Sequence, residues 1–388
     1  MIYEIPSVGA EEQAAQARIG ELRRELKYHV AEPRRWVGSV RRILSARAIQ
    51  GSNSIEGYNV SAEDAVAAVE GDEPAEATLE SWQAVTGYRR AITYVLQLAQ
   101  DPYFEFTAQL LRSLHFMMTE NSLDASPGRW RPGAVWVRND ATREVVYEAP
   151  DADQIPDLIE ELMNQLSLNP DVPVLVRAAM AHLNLVMIHP YRDGNGRMAR
   201  CLQTLVLTQD GILSPEFCSI EEFLGANTQD YYDVLRRVGE GRWNPEHDAR
   251  EWVRYCLVAH FVQATSVLRR VRESEQVWGE LESLIELHRL APRSIAALFD
   301  ATSGLKVRNA SYRTTLKSWE EEVSNQVATT DLRAMVQAGL LEQQGKKRGT
   351  YYTAGTRLRE LRATYMTGRQ RIDTSTLFDP IESELPFG

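Results

Sequence analysis

The sequence predicts a mainly α fold: a helical bundle broken once by a small β-hairpin, then a smaller unit of three short helices and a second hairpin. Three observations predict it. Apolar residues recur at helical spacing through most of the chain. Residues 126–150 switch to Pro-Gly and Asn-Asp turn signals around two short β-prone runs. After residue 292 the periodic segments shorten and end in a Gly-Lys-Lys-Arg-Gly turn. With 388 residues the chain can bury two or three cores.

The elements follow in order. Residues 11–28 are charged and amphipathic. A second helix opens at Ser61, whose Ser-Ala-Glu-Asp64 run resembles a capping box, and continues to residue 70. Residues 80–100 and 107–118 add two more. The runs Ala134-Val-Trp-Val137 and Glu144-Val-Val-Tyr147 form the hairpin. Helical spacing returns at 155–166; residues 172–188 are apolar on nearly every side, as in a helix buried mid-bundle, and Pro190 ends them. Residues 248–289 form one long helix with charges of alternating sign at Arg269, Arg270, Arg272, Glu273 and Glu275.

Helices at 294–299, 312–323 and 330–338, then strands at 340–344 and 350–352, suggest a winged helix-turn-helix. Thr330–Met335 would be its recognition helix, and Lys346, Lys347 and Arg348 its wing tip. Those cations can meet phosphates, but the helix so bounded offers few base-reading side chains, so the module docks either DNA or protein, a second copy included.

Composition bounds the function. With 44% hydrophobic and 25% charged residues the chain reads as a folded soluble protein. No run reaches the roughly 18 apolar residues of a membrane span, and Met-Ile-Tyr-Glu-Ile-Pro is no leader, so a cytoplasmic location without membrane contact is expected. Three cysteines without Cys-x-x-Cys spacing argue against a disulfide framework and a structural zinc; Cys201, on an apolar helix face, reads as core. A net charge of −11 repels nucleic acid except at a local basic patch, but does not exclude a bound nucleotide.

The chemistry concentrates in His189-Pro-Tyr-Arg-Asp-Gly-Asn-Gly-Arg-Met-Ala-Arg200. A buried helix ends at Pro190 and another opens near Gly196, with Met198, Cys201, Leu202, Leu205 and Val206 facing a core. The loop therefore lies at a helix N-terminus, where backbone N–H groups and the helix dipole favour an anion and Gly194 and Gly196 allow close approach. Arg197 and Arg200 are misplaced in that first turn unless a polyanion or a carboxylate meets them. Asp193 offers a hard oxygen suited to Mg²⁺ beside phosphates, and His189 a base that can take a hydroxyl proton. These parts fit phosphoryl or nucleotidyl transfer. A simple Asn-Gly hairpin is excluded by the helical flanks, and an EF-hand by Met198 and Thr204 where Gly and Glu are needed.

The segment resembles the signature of the Fic family, His-Pro-Phe-x-Asp/Glu-Gly-Asn-Gly-Arg-x-x-Arg, departing from it only at Tyr191. The resemblance implies a Fic-type bundle and a protein adenylyltransferase, which moves AMP from ATP onto a Ser, Thr or Tyr hydroxyl of a target protein, or of itself, with release of pyrophosphate. It implies His189 as catalytic base and Asp193 as Mg²⁺ ligand. The nucleotide cradle would be Asp193, Gly194, Asn195, Gly196, Arg197, Met198, Ala199 and Arg200. The hairpin after Pro127-Gly-Arg-Trp-Arg131 is similar to the family's target-holding flap, with Val137 on the ATP side. Tyr231 and Tyr232 resemble the pair near the adenine, although Gly239 stands where some members carry Asn. In the toxin branch resembling Doc a Lys tends to replace the second loop glycine; Gly196 keeps the phosphate space open and favours AMP transfer.

Ser52-Asn-Ser-Ile-Glu56-Gly57 resembles the family's inhibitory motif, which implies that Glu56 pairs with Arg200 and restrains the enzyme. From the residues alone, Asn53-x-x-Glu56 also reads as a capped helix start. Two further readings stand beside it: the resemblance also implies that Glu56 orients water for removal of AMP, and the non-enzyme alternative is a DNA-binding regulator with a nucleotide-sensing core. The division expected is 1–105 with the inhibitory motif, 106–262 as catalytic core, 263–292 as connecting helix, 293–370 as winged helix and 371–388 as tail.

Overall fold

The computed structural model describes the chain except residues 32–33, 75, 99–100, 139–143, 170, 209–210, 212–213, 347–348, 367–369 and 382–388. Its helices before the first hairpin are α1 (Ala10–Ala31), α2 (Arg35–Ile55), α3 (Ala62–Glu70), α4 (Leu79–Leu98) and α5 (Ala108–Thr119). The hairpin strands β1 (Trp136–Arg138) and β2 (Val145–Glu148) come next. They are followed by α6 (Ile155–Leu168), α7 (Val174–Ile188), α8 (Asn195–Thr208), α9 (Pro215–Cys218), α10 (Glu221–Ala226), α11 (Thr228–Gly239) and the long α12 (Arg250–His288). The C-terminal part holds α13 (Ile295–Thr302), α14 (Asn309–Ser318), α15 (Asn325–Gln337), β3 (Leu341–Gln344), β4 (Tyr351–Ala354) and α16 (Thr356–Met366). The fold is mainly α with two small antiparallel hairpins, as the periodicity predicts.

Two compact units emerge, and they cut the chain differently from the linear division expected. One comprises residues 1–27, 44–266 and 373–388; the other comprises 28–43 and 267–372. In the first, α7 is buried on almost every side and packs along α8, which explains its unbroken apolar run. The Ser61 hydroxyl accepts from the Asp64 amide and caps α3, and Thr107 caps α5 in the same way. In β1–β2, Val137 pairs with Tyr147, so their side chains share a face. The outer edge of β2 is held by residues 241–243: Glu148 N–H donates to Gly241 O and Trp243 N–H to Glu148 O, both at 2.9 Å. The segment expected as a polar tail is in part docked. Arg18 donates to the carbonyls of Leu377 and Asp379 at 2.8 and 2.7 Å, and Leu377 is buried.

In the second unit α13, α14 and α15 surround a core of Leu298, Phe299, Tyr312, Leu316, Leu332 and Met335, with β3–β4 alongside and Val307 bridged to Tyr352. Boundaries differ from expectation: α14 spans Asn309–Ser318 rather than 312–323. α15 begins at Asn325 because the Ser324 hydroxyl caps it, accepting from the Val327 amide at 3.2 Å. An additional helix, α16, follows the hairpin. Of the expected wing tip, Lys346 is exposed, whereas Lys347 and Arg348 lie outside the described residues.

Candidate active site

α7 ends at His189 in the left-handed region, φ 51°, where Pro190 prevents another turn. That strained residue is fixed by Arg131, which is buried and donates from Nε to the His189 carbonyl at 2.8 Å and from its backbone N–H to Pro190 O at 2.9 Å. The His189 ring lies 3.1 Å from the Val186 carbonyl through Nδ1. A carbonyl only accepts, so Nδ1 carries the proton and Nε2 keeps its lone pair. Burial pushes the imidazole pKa down, which holds it neutral and ready to accept a proton.

The loop is locked from within. The Asn195 carboxamide accepts from Tyr191 N–H and donates to Tyr191 O, each at 2.9 Å, so the side chain expected at the nucleotide closes the loop on itself. Tyr191 is fully buried, stacked on His115 at 3.7 Å and tilted against Trp130. Its hydroxyl has no hydrogen-bond partner among the described residues.

His115 carries no signal in the sequence. Its Nδ1 accepts from Gly128 N–H at 2.9 Å, so Nε2 is the protonated nitrogen that donates to Asp193 O at 3.0 Å. One ring thus ties the base of the hairpin to the loop. Burial lowers its pKa to about 4 and keeps it neutral in this role.

Gly194, at φ 78°, turns the chain into α8, whose first amides lack in-helix acceptors. Arg197 and Arg200 are almost wholly buried. Arg197 reaches Asp193 at 3.4 Å and lies over the Tyr58 ring. Arg200 donates to the Ser52 hydroxyl at 2.8 Å, the Ser52 carbonyl at 2.9 Å and Glu56 Oε1 at 2.6 Å. Each guanidinium still keeps one buried nitrogen, Arg197 Nε and Arg200 Nη1, with no partner among the described residues.

Ser52 and Glu56 lie at the C-terminal end of α2, so the Asn53 helix-start reading does not hold: the Asn53 side chain donates back to Ile49 O at 2.8 Å. Gly57 leaves the helix at φ 84°. This helix end is docked backbone to backbone, since a Cβ built on Gly225 would lie 2.6 Å from Gly51 Cα. It brings the Glu56 carboxylate directly over Gly196, where any Cβ would collide with Oε1. Burial raises the Glu56 pKa, but Arg200 and then Arg197 outweigh it and hold the carboxyl below its ordinary range.

Asp193 is half-exposed beside these groups. No cluster of three or more His, Cys, Asp or Glu suited to a metal occurs among the described residues. Of the tyrosine pair, Tyr231 is buried with its hydroxyl 2.9 Å from His182 Nε2, and only Tyr232 is exposed, donating to Ile55 O at 3.2 Å. Gly239 packs against Met187 and Tyr147, so a longer side chain there requires the Met187 thioether to shift. Cys201 is core, as expected.

Residues 105–207 match the Fic/DOC family. This chain carries a Fic domain. It is similar to protein adenylyltransferase fic-1 of Caenorhabditis elegans, 29% identical over 174 residues, 44% of this chain and 30% of that protein. It is also similar to protein adenylyltransferase Fic of Nematostella vectensis, 28% identical over 212 residues, 53% of this chain and 44% of that protein. The matches thus span about a third to a half of these relatives' length. Among solved structures, a Fic family protein from Desulfovibrio desulfuricans G20 superposes with a TM-score of 0.55 at 22% identity, covering 91% of this chain and 99% of that one. Fic-1 from C. elegans does so with 0.53 at 19%, covering 68% and 73%. These likenesses establish the fold. No helix among the described residues is long and apolar enough to cross a membrane.

Proposed function

We propose that this Fic domain is a protein adenylyltransferase restrained by its own Glu56. The supporting observation is the first turn of α8, where two buried guanidiniums keep unpartnered N–H groups beside a histidine whose Nε2 is free to take a proton. Uncapped amides and two cations around a glycine are the equipment for a triphosphate, which makes ATP the fitting substrate. The acceptor is a hydroxyl of a target protein or of this chain. His189 Nε2 takes its proton as the oxygen bonds to the α-phosphorus and the bond to the pyrophosphate oxygen breaks. The loop amides and Arg197 stabilise the charge that develops.

Asp193 alone fits Mg²⁺, because that ion takes one or two carboxylates and fills its shell with phosphate oxygens and water. Bound there, the ion would neutralise phosphate charge. Val137, facing the same side of the hairpin as Tyr147, is suited to flank the nucleotide, and Tyr232 rather than Tyr231 to reach a base. The outer edge of β1 suits a target segment added as a strand.

Glu56 occupies the space over Gly196 and holds Arg200, so ATP meets a carboxylate where outer phosphates belong. The same carboxylate suits a second reading, orientation of water for removal of AMP. Incubation of full-length protein and its Glu56→Gly variant with α-labelled and γ-labelled ATP separates the classes. Protein-bound α-label is the expected outcome. Protein-bound γ-label would indicate a kinase, and absence of both labels with Glu56→Gly would favour a nucleotide-sensing regulator. The second unit has the helices and hairpin of a winged-helix module that docks the enzyme to a partner.

A further inference from the structure

We infer that α15 reads duplex DNA in the major groove, so that this Fic domain acts next to a chosen DNA sequence. The inference rests on the winged-helix reading of the second unit and is independent of AMP transfer. Charge is the first support: residues 293–371 carry fourteen Lys and Arg against seven Asp and Glu, in a chain whose overall charge is −11. A strongly basic segment on an acidic protein is the electrostatic footprint of a polyanion partner.

The second support is the face that α15 presents. Bounded at residue 330 the helix has few base readers, but its start at Asn325 adds more than a turn. Gln326, Thr330, Arg333 and Gln337 then fall at i, i+4, i+7 and i+11, all exposed on one side. Gln and Arg are the side chains that bond adenine and guanine edges bidentately, and Thr contacts either hydrogen-bonding groups or a thymine methyl. Asp331, the only carboxylate on the helix, would repel phosphates, yet it is turned inward. It accepts from Arg293 at 2.7 and 3.1 Å and from the Tyr312 hydroxyl at 3.2 Å.

The third support is the supporting frame. The Asn309 amide donates to Asn325 O at 3.2 Å and to the Thr329 hydroxyl at 2.9 Å, which locks the starts of α14 and α15 together. Arg308, exposed at the start of α14, and Lys346, exposed in the hairpin turn, are placed for backbone phosphates. Glu320 and Glu322 follow the other end of α14, roughly 15 Å away at 1.5 Å per residue. A protein-docking face would be expected to expose aromatic or aliphatic anchors, whereas Val327 is the one large apolar side chain exposed on α15.

The test is selection of a random duplex DNA pool on the full-length protein, followed by fluorescence anisotropy with the enriched sequence. Enrichment of one sequence is expected. Gln326→Ala and Arg333→Ala should each reduce its preference over random duplex by roughly 5- to 150-fold. Lys346→Ala should weaken both duplexes alike and flatten the salt dependence by about one charge. Duplex binding without enrichment, or an enriched sequence bound equally by both α15 variants, would overturn groove reading and leave the winged-helix reading standing. No binding of any duplex at low salt would overturn the DNA inference outright and leave protein docking as the role of the winged-helix module. AMP transfer is scored separately by labelled AMP.

Discussion

The loop from His189 to Arg200 and the helix end from Ser52 to Gly57 meet at one guanidinium, but they are held by different means. The loop is satisfied from within and from the adjoining scaffold: Asn195 closes it, Arg131 pins His189 and His115 pins Asp193. The helix end rests on backbone packing at Gly51, while its carboxylate is placed chiefly by Arg200, a member of the loop. On the proposed function, that asymmetry makes the loop a preformed site and Glu56 its detachable restraint.

Removing the restraint should have the largest effect on stability. Glu56→Gly leaves Arg200 buried without its carboxylate and should cost about 3 kcal/mol, the low end for a broken buried pair because Glu56 retains 22% side-chain exposure. Thermal unfolding should show the loss without nucleotide and its recovery with saturating ATP, which supplies the missing anion. Recovery with adenosine alone would break the comparison, since adenosine brings no phosphate.

The loop's dependence on His115 comes next. Its pKa of about 4 lies below the 6.5 of an unfolded histidine, so between those values the unfolded chain binds more protons and stability rises with pH. The contribution is complete above pH 6.5 and falls away toward pH 4, worth roughly 3 kcal/mol at 1.36 kcal/mol per unit. Denaturant titrations should find a shallower slope across that window in His115→Gln than in the unaltered chain. His182, His189 and His260 are also held neutral by burial and remain in both proteins. An unchanged slope would remove His115 from the scaffold.

Parts of this contrast were legible in the sequence. The loop announces itself because Gly, Asn and two Arg at a helix start are a local pattern, and the apolar run of α7 points to its burial. Ser52–Gly57 is ambiguous because Asn-x-x-Glu serves either end of a helix; the Arg200 contact, 144 residues away, decides it. His115 is silent for the same reason, with partners 13 and 78 residues distant. Tyr231 and Tyr232 are adjacent in sequence but differ in burial, which only the packing of α11 determines.

Smaller effects sharpen the picture. Gly196→Ala puts a methyl group against Glu56 Oε1 and should destabilise by about 1–3 kcal/mol, as overpacking does. It should not release activity, because the methyl fills the phosphate space that Glu56→Gly opens; a variant as active as Glu56→Gly would show that space to be unnecessary. Tyr191→Phe removes a buried hydroxyl without a partner and should be neutral or stabilising by up to about 1 kcal/mol in thermal melts. A clear loss would reveal a partner for that hydroxyl.

The most direct measurement is the initial rate of AMP incorporation from α-labelled ATP for the unaltered chain, Glu56→Gly, and Glu56→Gly combined with His189→Ala. A rise of tenfold or more in the single variant corresponds to removing about 1.4 kcal/mol of restraint, and the double variant should fall by a factor of about 10² to 10⁴. Equal rates for the unaltered chain and Glu56→Gly, or full activity without His189, would contradict a preformed site held in check by Glu56.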